Sequence, residues 1–215
     1  MERSLVWKSL QVFARIGTTL LFDLKTFDRH NVPRSGGVIL AANHQSYLDP
    51  VLVAVHLRRP VSFMAKSELF SNRYFGWLIR TLHAYPVRQG EGDVGAVKET
   101  IRRLQEGYIV NIYPEGSRTQ TGEIGPMEKG IALVIRRAGV PVVPVAIDGS
   151  YAAWPKDRKI FRGRPIRVLY GEPMNLSGLK GEQILGRLDR ALRSLHARLC
   201  DDNGAPLCPN QRSKS

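Results

Sequence analysis

The sequence predicts an α/β protein, a single mixed sheet flanked by helices, and three observations carry that reading. Short apolar-rich stretches recur at 38–42, 61–65, 108–113, 142–147 and 166–170; they are of strand length, the first reads as an interior strand and the last alternates. Between them lie stretches with helix-start and helix-stop signals, such as Asp49-Pro50 before Val51 and Gly107 after Glu106. The strand–helix–strand alternation is that of an α/β sheet.

Residues 1–27 form an apolar-rich start. Leu10, Phe13, Gly17, Leu20 and Leu24 recur at helical spacing with Trp7 near one end, while Lys8, Arg15 and Asp23 break any span long enough to cross a membrane. The segment reads as an amphipathic helix lying in a membrane interface; packing on the protein's own core is the other reading. Residues 28–200 read as one catalytic unit, and 201–215 as a flexible, Pro-containing tail.

Within that unit, Val38–Ala42 follows the pair Gly36-Gly37 as a buried strand and stops at Asn43. Asp49 is placed to cap a helix over Val51–Leu57, with Pro50 at its first position. A strand over Val61–Ala65 precedes a helical stretch around Tyr74–Ile79, and Ala84–Val87 is a short strand ending at Arg88 and a polar loop, Gln89–Gly92. Asp93 is placed to cap a helix over Val94–Glu106; Tyr108–Tyr113 is a buried strand, and the loop after it runs to about Pro126. A helix over Met127–Ala138 then leads to a strand at Val142–Ile147, whose internal Pro144 implies an edge position or irregular pairing. Residues 148–158 read as a loop, Ile166–Tyr170 as a late strand, and Gln183–Leu199 as an amphipathic helix.

The 215 residues carry 32 Lys and Arg against 19 Asp and Glu, a formal charge of +13, which favours anionic partners. Charge alone leaves nucleic acid, an anionic membrane, a phosphorylated substrate and an acidic carrier protein open. Other classes lack their signatures. There is no P-loop or G-x-G-x-x-G for nucleotides, no G-x-S-x-G elbow for a serine nucleophile, and no metal-ligand spacing. Cys200 and Cys208 have no metal-like companions and no evident secretory signal before them, which suits a reduced compartment.

Two stretches carry chemistry. His44 and Asp49 are five residues apart, about 140° around an ideal helix, so only a turn pairs them. In such a turn Asp49 orients His44 as a general base towards a substrate hydroxyl; a structural His–Asp pair is the competing reading. His30, His56, His83 and His196 lack a similar acidic neighbour and read as packing or surface residues. The second stretch, Tyr113-Pro114-Glu115-Gly116-Ser117-Arg118-Thr119, leaves a strand end with backbone and hydroxyl groups suited to an anion. Arg88, Arg118 and Lys129 are candidate phosphate ligands, whereas Arg58-Arg59, Arg102-Arg103 and Arg162/Arg164/Arg167 read as ordinary solvated charge.

Together these residues resemble a known family. Asn43-His44-Gln45-Ser46-Tyr47-Leu48-Asp49, Arg88, the 113–119 stretch and Val142–Ile147 are similar to the four ordered motifs of the glycerolipid acyltransferases, especially the bacterial 1-acylglycerol-3-phosphate acyltransferases. The resemblance covers roughly 28–175. It implies His44 as base and Asp49 as its partner, with Arg88, Glu115, Gly116, Ser117, Arg118 and Lys129 around the acceptor's phosphate and glycerol. Asn43, Ser46, Pro114, Thr119 and Pro144 support those motifs. The implied reaction moves an acyl group from acyl-CoA or acyl carrier protein to a lysophospholipid hydroxyl, with no metal and no cofactor. The implied partners are anionic membrane lipid and the lysophospholipid, not nucleic acid, at the cytoplasmic face of an inner membrane. Tyr113 stands where many relatives have Phe, and His83–Arg88 is a polar variant of the second motif. Acylation of a lyso-ornithine lipid or lysophosphatidylglycerol is the rival within the class. A non-catalytic basic lipid-binding protein and a phosphomonoester hydrolase are rivals outside it.

Overall fold

The computed structural model describes residues 5–87, 94–155, 158 and 160–201. Arg88, the Gln89–Gly92 loop, the Asp93 cap and the tail with Cys208 lie outside the described residues.

Seven strands form one sheet: β1 (Lys25–Phe27), β2 (Val38–Ala42), β3 (Val61–Lys66), β4 (Ala84–Val87), β5 (Ile109–Ile112), β6 (Val142–Asp148) and β7 (Arg167–Tyr170). Their order is β1-β7-β6-β2-β5-β3-β4, and every pairing is parallel except β6 with β7. The predicted mixed sheet is therefore present. Five neighbouring strands, β6 through β4, end on the same edge.

The helices are α1 (Leu5–Phe22), α2 (Asp49–Ala54), α3 (Arg73–Thr81), α4 (Val94–Gln105), α5 (Lys129–Ala138), α6 (Ser150–Ala153) and α7 (Gly181–Asp201). Alternate residues of the central strands face opposite layers. Val38, Leu40 and Ala42 of β2 pack with Leu52 and Val53 of α2, Ala153 of α6 and Phe22 of α1. Ile39 and Ala41 pack with Leu104 of α4, Ile131 and Ile135 of α5, and Ile184 and Leu188 of α7. Because both faces are covered, β2 is wholly buried and reads as an unbroken apolar run.

Four expectations are corrected. Pro144 lies on an interior strand, so the edge reading falls and the irregular pairing holds: Val145 faces Tyr170 but Val142 faces Met174, one residue out of step. The proline is tolerated because its side of β6 faces the irregular chain after β7: Pro144 O accepts from Gly171 N, and Val142 exchanges two backbone hydrogen bonds with Met174. The 148–158 loop contains α6, and β6 extends to Asp148. Several arginines read as solvated are structural: buried Arg167 donates to Asp23 O, and Arg59 donates to the carbonyls of Pro33, Gly36 and Gly107. Arg103 pairs with Glu99 and lies over the Tyr85 ring. His196 does have an acidic neighbour, with Nε2 at 3.6 Å from Asp148 Oδ1, and burial lowers its pKa despite that charge.

On α1, Trp7, Thr18 and Phe22 turn inward, and Gln11 and Arg15 donate to the carbonyls of Leu57 and Val55. Leu5, Phe13, Ile16 and Leu20 stay exposed. Among the described residues no helix is long and apolar enough to cross a membrane.

Candidate active site

The site lies where β2, β5 and β6 end side by side. β2 leads into Asn43, whose side-chain amide replaces a strand partner just beyond the ladder. Its Nδ2 donates to Ile147 O at 2.9 Å, and its Oδ1 accepts from Ile147 N at 2.7 Å. Both backbone groups of Ile147 are thereby satisfied by one buried side chain.

His44 follows, outside any regular element. Its Nδ1 lies 2.8 Å from Asp49 Oδ2, so the carboxylate accepts from Nδ1–H and Nε2 is left with its lone pair for proton transfer. The imidazole stacks on Tyr113, with ring centroids 3.8 Å apart and 12° between planes. Its backbone is held from both sides: His44 N donates to Glu115 Oε1, and His44 O accepts from Thr119 N, each at 2.8 Å.

Asp49 is fully buried, a position costly for a carboxylate without partners. It has four. Oδ2 accepts from the His44 ring, from Gln45 N at 2.6 Å and from Ser46 N at 2.7 Å; Oδ1 accepts from Ser150 Oγ at 2.7 Å. The expected N-cap role is corrected here. Leu48 occupies the cap position, Asp49 opens α2, and its carboxylate reaches back to the 45–46 amides instead. Ser46 Oγ donates to Trp154 O, tying the turn to the far end of α6.

The second stretch leaves β5 at Tyr113. Gly116 adopts φ +68°, and a Cβ there would lie 2.9 Å from Glu128 Cγ, so the loop requires glycine for both conformation and space. Glu115 turns inward. Its Oε1 accepts from His44 N and its Oε2 from Gly125 N, each at 2.8 Å, which makes it a brace between loops. Burial raises its pKa, and those two amides act against the shift. Glu128 N donates to Pro114 O, placing exposed Lys129 at the start of α5 beside this loop.

Arg118 differs from its neighbours. Its guanidinium lies over the Tyr47 ring at 3.5 Å, and its Nη1 is buried with no hydrogen-bond partner among the described residues. A buried cationic donor without a partner is costly, and an anionic oxygen would satisfy it. Ser117 is exposed beside it. Val87 ends β4 at the same sheet edge, where Arg88 follows in sequence.

Of the expected site residues, the structure therefore gathers Asn43, His44, Ser46, Asp49 and the 114–119 loop, with Lys129 nearby. Pro144 stays in the sheet, pairing with Ala41. Sequence reasoning missed Ser150, Gln45 and Tyr47. The Gly149-Ser150 pair straight after a buried strand was the available signal for the first.

Residues 24–148 match the sequence model of the Acyltransferase family, over half the chain. The chain belongs to the acyltransferase family. It is 29% identical to the 1-acyl-sn-glycerol-3-phosphate acyltransferase of Bacillus subtilis (strain 168) over 153 residues, covering 71% of this chain and 74% of that protein. The Streptococcus pneumoniae protein of the same name is 31% identical over 66% of this chain and 52% of its own length. Among solved structures, the 1-acyl-sn-glycerophosphate (LPA) acyltransferase PlsC from Thermotoga maritima superposes with a TM-score of 0.80 at 28% identity, covering 89% of this chain and 78% of that one. This acyltransferase thus shares the α/β fold of that enzyme, and its motif residues fall on adjoining strand ends of the shared sheet.

Proposed function

We propose that this acyltransferase moves a fatty acyl group from a thioester to the free hydroxyl of 1-acyl-glycerol-3-phosphate, forming phosphatidic acid for phospholipid synthesis. The observation that carries the reading is the pairing of a pre-oriented base with an unsatisfied cation: the loop that fixes the His44 backbone also holds Arg118 Nη1 buried and, among the described residues, without a hydrogen-bond partner. The relatives' names supply the matching acceptor.

His44 Nε2 takes the proton as the acceptor oxygen attacks the thioester carbonyl carbon. The new C–O bond forms, the C–S bond breaks, and the proton passes from the imidazolium to the departing thiolate. Asp49 stabilises the imidazolium while it exists. The two substrates and His44 balance every atom and proton, so the chemistry calls for no further cofactor.

Arg118, with Ser117, Lys129 and Arg88, serves the phosphate, and Arg suits this because its fork meets two oxygens at once. Gly116 lets the backbone approach, and Glu115 acts by holding that loop. Coenzyme A and acyl carrier protein both fit as donor carriers. The exposed apolar side of α1, together with the positive charge, supports peripheral binding to anionic lipid at the cytoplasmic face of the inner membrane.

The test is a panel of lysolipid acceptors with both thioester donors, read by mass spectrometry of the products. Preferred conversion of 1-acyl-glycerol-3-phosphate supports the reading. Preference for a lyso-ornithine lipid or lysophosphatidylglycerol would replace the acceptor, and no transfer to any hydroxyl would reject the chemistry.

A further inference from the structure

The carboxylate of Asp49 is gripped unevenly. Three donors converge on Oδ2, and all three come from residues 44–46 of the same turn. Donors on one oxygen leave the carboxylate plane free to turn about that oxygen, changing the direction in which its lone pairs meet the imidazole N–H. The grip on Oδ1 comes from elsewhere in the chain: Ser150 Oγ at 2.7 Å, from a residue 101 positions later.

Ser150 is placed for this contact by a constrained turn. Gly149 leaves β6 with φ +85°, and a Cβ there would lie 2.2 Å from Pro165 O, so only glycine makes the turn. The hydroxyl is fully buried. Its second neighbour, Gln45 Oε1, is longer at 3.3 Å; the one hydroxyl proton therefore goes to the nearer, charged oxygen. At the other end of α6, Trp154 O accepts from Ser46 Oγ at 2.7 Å, so this short helix splints the catalytic turn at both ends. Ser150 lies just past the residues that match the family model.

We propose that Ser150 is a positioning residue for the His44–Asp49 pair: its hydroxyl fixes the second oxygen of Asp49 from β6, locking the carboxylate plane that aims the imidazole. The inference rests on the acyl-transfer reading above. Ser150 touches neither substrate nor the reacting atoms, and its contribution passes through Asp49 alone.

The purified full chain, with Ser150→Ala, Ser150→Thr, Asp49→Asn and the Ser150→Ala/Asp49→Asn double variant, tests this. Ser150→Ala is expected to lower kcat about tenfold, the scale of one hydrogen bond to a charged group, with KM for both substrates within about twofold. Ser150→Thr, which keeps the hydroxyl, should recover part of the rate. In the Asp49→Asn background Ser150→Ala should cost nothing further. Should Ser150→Ala fail to fold, Ser150→Cys, a weaker donor of similar size, carries the same comparison. An unchanged kcat, or equal losses in both backgrounds, would overturn the proposal. His44→Ala separates the two levels: if it retains activity the acyl-transfer reading fails, whereas if only Ser150→Ala is silent the inference alone fails.

Discussion

The 43–49 turn and the 113–119 loop adjoin on one sheet edge but are finished to different degrees. In the turn, every side-chain polar atom of Asp49 and Asn43 has a partner, and the His44 ring is fixed by a carboxylate on one nitrogen and a phenol ring on its face. In the loop, Glu115 and Thr119 are engaged with His44 backbone groups, while Arg118 has a buried donor without a partner among the described residues and Ser117 is exposed. On the proposed reading, the proton-transfer half is complete before substrate arrives and the anion-holding half is completed by the acceptor, so rate and recognition should separate under mutation.

His44→Ala should have the largest effect. It removes the base and should lower kcat about 10²–10⁴-fold while leaving the unfolding midpoint within a few degrees. A variant that keeps its rate would erase the distinction between the two halves. Next, Arg118→Ala should raise KM about ten- to a hundredfold for a phosphate-bearing acceptor, with kcat far less affected. An equal change for a neutral acceptor would show that the guanidinium does not hold the phosphate. Third, Glu115→Gln can keep only one of the two amides now bound, leaving a buried N–H unsatisfied at a cost of about 1–3 kcal/mol. Thermal unfolding should fall by several degrees, and kcat modestly, because the freed amide can be that of His44. Smallest, Tyr47→Leu removes the ring face beneath Arg118 and should raise the acceptor KM about two- to fivefold. A larger loss in kcat than in KM would move Tyr47 to the other side of the comparison.

The sheet was legible because both-face burial leaves its mark in composition. β2, β5 and β6 are buried along their whole length and apolar but for Asn111 and the terminal Asp148, and each was located to within a residue or so. β1 was not: Lys25-Thr26-Phe27 is three residues on an edge with alternate side chains exposed, too short to carry a pattern. The arginine reading failed at Arg59 and Arg167 for a different reason. A guanidinium is drawn inward wherever several carbonyls lack donors, and sequence does not show where carbonyls converge.

At the site, the His44–Asp49 spacing did predict a pair meeting across a turn. The Asp-Pro signal correctly marked where α2 begins, but a buried carboxylate surrounded by amides gains more from them than from capping its own helix. Ser150 escaped because its partner is 101 positions away. Glu115 was assigned to the acceptor by resemblance, and its inward turn depends on the amides of His44 and Gly125, 71 and 10 positions away, which sequence does not bring together.

The distances along the chain between these partners also set an order of events. β2 is completed by β5, about seventy residues later, and Asn43 is closed by Ile147, 104 positions on. Contacts so remote form slowly, because the intervening chain must be collapsed first. During synthesis the 43–49 turn therefore stays unlocked until the segment through Trp154 has emerged from the ribosome. A nascent chain lacking that segment exposes β2, the most apolar strand, on one side, and competence for catalysis arrives late, together with burial of the strand most prone to mispairing.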